Sequence, residues 1–205
     1  MIVNKIFLPE LWFFFDIFDN KSVLAFKNLS CKIGIIFFNK HNVSQETFFD
    51  KVLPFKKICT EKNRFFLVNY ISGRRCFFGS RGAFIYLNDL RKNYSKVFCK
   101  NLRRNNFLLA TSIHNETELR IACKNNFDLI FISPLSKTKT HPEILPHSSI
   151  NFIKLCSKQK RFVFALGGAT SINLKRVKNK YLVGFGAIDF FLNLNIKKQC
   201  TIQKK

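Results

Sequence analysis

The chain reads as short continuous apolar runs separated by longer polar segments with helical spacing. Eight runs stand out: Leu11–Ile17, Ile33–Phe38, Phe65–Tyr70, Phe84–Leu87, Phe107–Ile113, Asp128–Ser133, Phe162–Leu166 and Leu182–Ile188. Strands that alternate apolar and polar residues have one wet face, whereas unbroken apolar runs belong to parallel strands covered on both faces. The intervening segments predict helices. Asn115–Asn126 opens on a capping Asn, places Glu116 and Glu118 at the positive end of the dipole and gathers Leu119, Ala122 and Cys123 on one face. Ser44–Lys62 begins with a Ser-x-x-Thr cap, and Pro54 is expected to kink or shorten it. Ser148–Lys158 and Ser171–Lys178 are two further helices, while Gly73, Gly79 and Gly82 leave Ile71–Gly82 open between a short helix and a loop.

Eight strands alternating with helices in 205 residues predict an α/β fold, a single-domain (β/α)8 barrel near the lower size limit of about 200 residues. An open flavodoxin-like sheet would stop at five or six strands. The expected organisation is an extension over 1–9, the barrel over 10–197 and a basic tail over 198–205. No apolar stretch reaches the roughly 18 to 20 residues of a membrane helix. Acidic residues Glu10, Asp16 and Asp19 argue against a signal peptide, so a cytoplasmic protein is expected.

Charge and cysteines change this picture little. The formal charge of +23 invites a nucleic-acid reading, yet the lysines are spread along the whole chain, which predicts a solvated basic surface and no nucleic-acid partner. Seven cysteines stand singly, without a Cys-x-x-Cys pair, and read as reduced thiols.

Candidate chemistry sits where the strands end, since barrels of this kind place their sites at the C-terminal lip and bind phosphate after strands seven and eight. Strand seven runs into Gly167-Gly168 just before a helix start, where paired glycines let main-chain N–H groups approach an anion. Strand eight ends Gly184-Phe185-Gly186-Ala187-Ile188-Asp189. A carboxylate about 5 Å from a phosphate charge would repel it by about 3 kcal/mol at an effective dielectric of about 20, so Asp189 either caps the final helix or the phosphate is held another way. The sixth loop, Ser133 to Pro142, offers Ser136, Lys137, Thr138, Lys139, Thr140 and His141 as hydroxyls and cations. Ser112 and His114 alternate at the end of strand five and share one face; a single His beside a helix start is more often structural than catalytic.

Taken in order, Thr111-Ser112-Ile113-His114, Ser133-Pro134-Leu135 with Thr138 to Pro142, Ala165-Leu166-Gly167-Gly168 and Gly184 to Asp189 resemble the thiamine phosphate synthase and thiazole tautomerase family, in particular its divergent bacterial members. The likeness covers 107–191 and extends to 10–70. It implies a transferase of thiamine biosynthesis that joins a hydroxymethylpyrimidine diphosphate to a thiazole phosphate and releases pyrophosphate with magnesium. By that resemblance Thr138 and Thr140 contact the thiazole phosphate, Gly168 supplies a main-chain N–H, Ile188 and Asp189 close the same pocket, and Ser112 lies beside the departing diphosphate. Self-association is left open.

The pattern also departs from the family. Its second strand presents Gln-x-Arg-x-Lys, where this chain has Ile36-Phe37-Phe38-Asn39-Lys40 and keeps only Lys40. Its third strand ends Asn-Asp, here Asn69-Tyr70; Asp89 stands for the second carboxylate on magnesium, and His141 replaces a lysine. Pro134 occupies the place of the tautomerase His. Two alternatives follow: a family member that binds a thiazole or thiamine phosphate without catalysis, and a tautomerase-like enzyme.

Overall fold

In the computed structural model, which describes residues 8–41, 43–70, 79–91, 93–137, 144–158 and 161–194, eight parallel strands close into a barrel in chain order. The strands are β1 (Leu11–Phe15), β2 (Gly34–Phe37), β3 (Phe66–Asn69), β4 (Gly82–Phe84), β5 (Leu108–Ile113), β6 (Leu129–Ile132), β7 (Phe162–Ala165) and β8 (Leu182–Ala187). Closure comes from β8 pairing with β1, where Leu11, Trp12 and Phe13 lie beside Phe185, Gly186 and Ala187. The helices are α1 (Asn20–Asn28), α2 (Gln45–Glu61), α3 (Asn93–Arg104), α4 (Glu116–Lys124), α5 (Ser149–Ser157), α6 (Ser171–Val177) and α7 (189–194).

Caps set most helix starts. Ser44, Asn115, Ser148 and Thr170 each accept a hydrogen bond from the main-chain N–H three residues on, and Asp19 does the same for α1. Pro54 does not end α2, which continues to Glu61. An interior proline costs about 3 kcal/mol, and burial of Phe48 and Val52 on the same helix offsets it, at about 1.5–3 kcal/mol for each such side chain. Phe55, one residue beyond the proline, stacks edge-on against Phe15 at 4.9 Å and Phe26 at 5.4 Å.

One strand differs from the sequence expectation. β4 spans Gly82–Phe84, two residues earlier than the apolar run Phe84–Leu87, and Leu87–Arg91 forms a 3-10 helix. Gly82 pairs with Leu108 so closely that a Cβ there would collide with the Leu108 carbonyl oxygen. A glycine that reads as a turn in the sequence is therefore what lets two backbones meet.

Two apolar layers fill the fold. One lies between strands and helices; the other occupies the barrel interior and is built around Trp12, Phe14, Phe38, Phe84, Phe131 and Phe164. Trp12 is flanked in the sheet by Gly34 on β2 and Gly186 on β8. A Cβ on Gly34 would stand 2.6 Å from the Trp12 ring, and one on Gly186 would stand 2.6 Å from Phe14. The missing side chains make room for the aromatic ones.

Candidate active site

The strand ends open onto a cavity of about 810 Å³. Lys40 reaches it from the end of β2, Ser112 from β5, Gly167 and Gly168 from the turn after β7, and Ile188 and Asp189 from the end of β8. Six candidate residues from four distant parts of the chain therefore face one space. A smaller hollow of about 280 Å³ lies between α6 and β8, lined by Leu174, Lys178, Phe185 and Phe190 among others, and includes none of the candidates.

The polar side of the cavity is built by the turns after β6 and β7. Gly167 and Gly168 have φ of +77° and +63°, in the left-handed region that favours glycine. The Ser136 hydroxyl donates to the Gly168 carbonyl at 2.7 Å, and the Asn173 amide donates to both the Ser136 Oγ and the Gly168 carbonyl at 3.1 Å. Thr170 caps α6 by accepting from Asn173 N–H at 3.2 Å. These bonds hold the glycine turn in place just before the start of α6.

Asp189 does not cap the final helix. The carbonyl of Ile188 accepts from Phe191 N–H at 3.0 Å and Leu192 N–H at 3.3 Å, so the cap position falls on Ile188 and Asp189 is the first helical residue. A carboxylate there is favoured by the helix dipole. It also lines the cavity, and among the described residues it is the one carboxylate that does.

On the β5–β6 side, Ser112 and His114 both line the cavity, as their alternation predicts. His114 Nδ1 lies 3.1 Å from the Ser133 carbonyl oxygen, and His147 Nε2 lies 3.2 Å from the same oxygen. A carbonyl only accepts, so each of those nitrogens carries its proton. Burial pushes the His147 pKa down, with the neighbouring His114 acting in the same direction. The His114 main-chain N–H donates to Glu118 at 2.6 Å, which fixes the strand end against α4.

The β2–β4 side is different. Asn69 is buried and is not among the residues lining the cavity; its amide accepts from Asn39 N–H at 3.3 Å and donates to the Phe84 carbonyl at 3.1 Å, tying three strand ends together. Asp89 sits in the 3-10 helix, with its N–H donating to the Tyr86 carbonyl at 3.0 Å, and does not line the cavity either. Burial pushes the Tyr86 phenol up to about 12, with the Asp89 charge adding to the effect. Thr138, Lys139, Thr140 and His141 lie outside the described residues, as does the basic tail over 198–205.

Several lining residues escaped the sequence reading. Phe14, Phe38 and Tyr86 were hidden inside strand-like apolar runs, although the inward position of Trp12 implies that Phe14 two residues on also points inward. Asn173 carried a weaker signal, as the third residue of a helix that starts at the glycine turn.

No group of three or more His, Cys, Asp or Glu able to hold a metal occurs among the described residues. Nor is any helix among them long and apolar enough to cross a membrane.

The barrel fold agrees with what comparison with known proteins finds. A solved thiamine phosphate pyrophosphorylase from Pyrococcus furiosus superposes with a TM-score of 0.63 at 14% identity, covering 88% of this chain and 86% of that one. FabK from Thermotoga maritima superposes with a TM-score of 0.62 at 9% identity over 90% of this chain and 59% of that one, so the architecture alone does not select an activity. In sequence, a protein of Aquifex aeolicus (strain VF5) named "Putative thiamine-phosphate synthase 2" is 32% identical over 87 residues, which are 42% of this chain and 47% of that protein. The thiamine monophosphate synthase family model matches residues 20–188, from α1 to just past β8, and the chain belongs to that family.

Proposed function

We propose that this protein is a transferase of thiamine biosynthesis that couples a hydroxymethylpyrimidine diphosphate to a thiazole phosphate and releases pyrophosphate. The observation that carries this reading is the convergence of Lys40, Ser112, Gly167, Gly168, Ile188 and Asp189 on one cavity. In the reaction the bond from the pyrimidine's methylene carbon to the diphosphate oxygen breaks, the thiazole attacks that carbon, and the diphosphate departs with the bonding pair. Charge builds on the leaving oxygen, so fixed cations and donors aimed at it lower the barrier. Lys40 and Ser112 supply these, and Lys137 adds a second cation at the edge of the cavity. The thiazole phosphate lies against Gly167 and Gly168, with Ile188 and Asp189 closing over it. The same reading gives Thr138, Lys139, Thr140 and His141 contacts to this phosphate. It takes the protein to act in the cytoplasm on small phosphorylated substrates, with no nucleic-acid partner.

The described residues do not fit a resident magnesium ion, because Asp189 alone offers a carboxylate to the cavity and Asp89 does not reach it. Magnesium therefore enters as the companion of the diphosphate in the assay.

Purified protein given both substrates and magnesium should form thiamine phosphate, detected by chromatography. Lys40→Ala should lower kcat/KM about 10- to 100-fold, the loss of roughly 1.4–2.7 kcal/mol of leaving-group stabilisation. Absence of product beside an active control enzyme removes the transferase reading. The engagement of the Asn69 amide within the barrel favours one second reading, a family member that binds a thiazole or thiamine phosphate without turnover. Saturable heat on titrating thiazole phosphate, with no product, would select it.

A further inference from the structure

Lys40 reaches the cavity from three residues past the end of β2. A lysine ammonium rides on a flexible four-carbon stem, so its aim depends on how firmly the main chain beneath it is held. Both chain neighbours of Lys40 are tied down. On one side Asn39 is buried: its main-chain N–H donates to the Asn69 side-chain oxygen at 3.3 Å, its amide donates to the Val43 carbonyl at 2.9 Å, and its own side-chain oxygen accepts from Val43 N–H at 3.1 Å. On the other side His41 Nε2 lies 3.1 Å from Oδ2 of Asp16, the residue that follows β1.

Asp16 is a carboxylate only 4% exposed, a position that costs free energy unless its oxygens are bonded. Both are engaged. The Phe18 N–H donates to Oδ1 at 3.1 Å, and His41 takes Oδ2. An ionised carboxylate only accepts, so His41 Nε2 carries its proton in this contact whether the ring is neutral or charged. The Phe18 ring meets the imidazole edge-on at 5.6 Å and gives it a second contact. Sheet pairing does not require any of this, since the register of β1 against β2 is set by four pairs that end at Phe15 and Phe37, before the clamp begins.

We propose that Asp16, acting through His41, and Asn69, acting through Asn39, are positioning residues that clamp the chain on both sides of Lys40 and hold its ammonium toward an anion in the cavity. The inference rests on the reading of Lys40 as a cation for the leaving diphosphate, and it adds the residues that aim it.

Calorimetric titration with inorganic pyrophosphate reads the aim, and hydrogen exchange of the Asn39 and Val43 amides reads the clamp without any ligand. His41→Ala should weaken pyrophosphate binding about three- to tenfold, the ordering cost of one long side chain. It should also speed exchange at those two amides severalfold. His41→Gln, whose amide can still donate to Asp16, should restore both. In a Lys40→Ala background His41→Ala should change pyrophosphate affinity by less than about twofold, because no ammonium is left to aim. Exchange unchanged by His41→Ala overturns the clamp. An undiminished effect of His41→Ala on pyrophosphate affinity in the Lys40→Ala background overturns the aim. Faster exchange in His41→Ala, with no pyrophosphate bound by the natural protein, supports the clamp and removes the leaving-group reading of Lys40.

Discussion

Replacing Gly168 by Ala tests the cavity wall at its most constrained point. The residue has φ of +63°, and a left-handed conformation costs a side-chain-bearing residue about 1 kcal/mol or somewhat more. The new Cβ would also meet the Ser136 hydroxyl head-on and stand 3.0 Å and 3.1 Å from the Ser136 and Lys137 carbonyl oxygens. The two carbonyls belong to the backbone and move little, so the serine hydroxyl must swing away. It then gives up its bond to the Gly168 carbonyl and the one it receives from Asn173, at about 1 kcal/mol each. Together these effects predict a loss of about 3 kcal/mol, or roughly 6–12 °C in melting temperature for a domain of this size. Urea unfolding of Gly168→Ala, Ser136→Ala and the double variant makes the argument quantitative. In the Ser136→Ala background the glycine substitution should cost only about 1 kcal/mol, the backbone part alone. Equal costs in both backgrounds, or a Gly168→Ala change smaller than about 0.5 kcal/mol, the usual range for an unconstrained surface site, would refute the reasoning.

Three further outcomes follow from the same structure. Gly186→Ala places a methyl group 2.6 Å from the Phe14 ring; it should destabilise by about 1–3 kcal/mol through overpacking, as read by urea unfolding, and push the ring toward the cavity. Asp128 accepts from Leu109 N–H at 2.9 Å and from Arg103 at 3.3 Å, joining β5 to the start of β6; Asp128→Ala should cost about 1–3 kcal/mol in the same measurement by leaving those donors unpaired. Burial pushes the Cys59 thiol up to about 12 and the Cys99 and Cys156 thiols to about 11, from an ordinary 9.0. All three hold their protons more tightly when folded, so their contribution to stability is complete below pH 9 and is lost as pH rises toward 11–12. Unfolding followed between pH 8 and pH 11 should show that decline, with the exposed Cys31 alkylated in the folded protein well before these three.

The strand count and order were legible because a closed parallel barrel buries both faces of every strand, and unbroken apolar runs record that directly. Helix starts were legible at Ser44, Asn115 and Ser148 because a cap is a local interaction, complete within three residues. β4 was misplaced by two residues because its defining contact, Gly82 against Leu108, joins positions distant in sequence. The same limit governs the site. Gly167 and Gly168 announce a turn that admits a ligand, and the alternation of Ser112 and His114 puts them on one face. Asn69 could not be placed from the sequence, since its partners Asn39 and Phe84 are set by strand register. The rings of Phe14, Phe38 and Tyr86 at the cavity were invisible for a simpler reason: rings that pack the interior and rings that line a cavity look alike in an apolar run.

Amide shifts in a two-dimensional NMR titration with methyl phosphate test the central claim, that the turns after β7 and β8 hold a phosphoryl group, most directly. Gly167, Gly168, Ile188 and Asp189 should move together along one saturable curve, while the amides of Lys175 and Lys178 at the outer hollow stay in place. Shifts spread over the basic surface that never saturate, with those four amides unmoved, would contradict it.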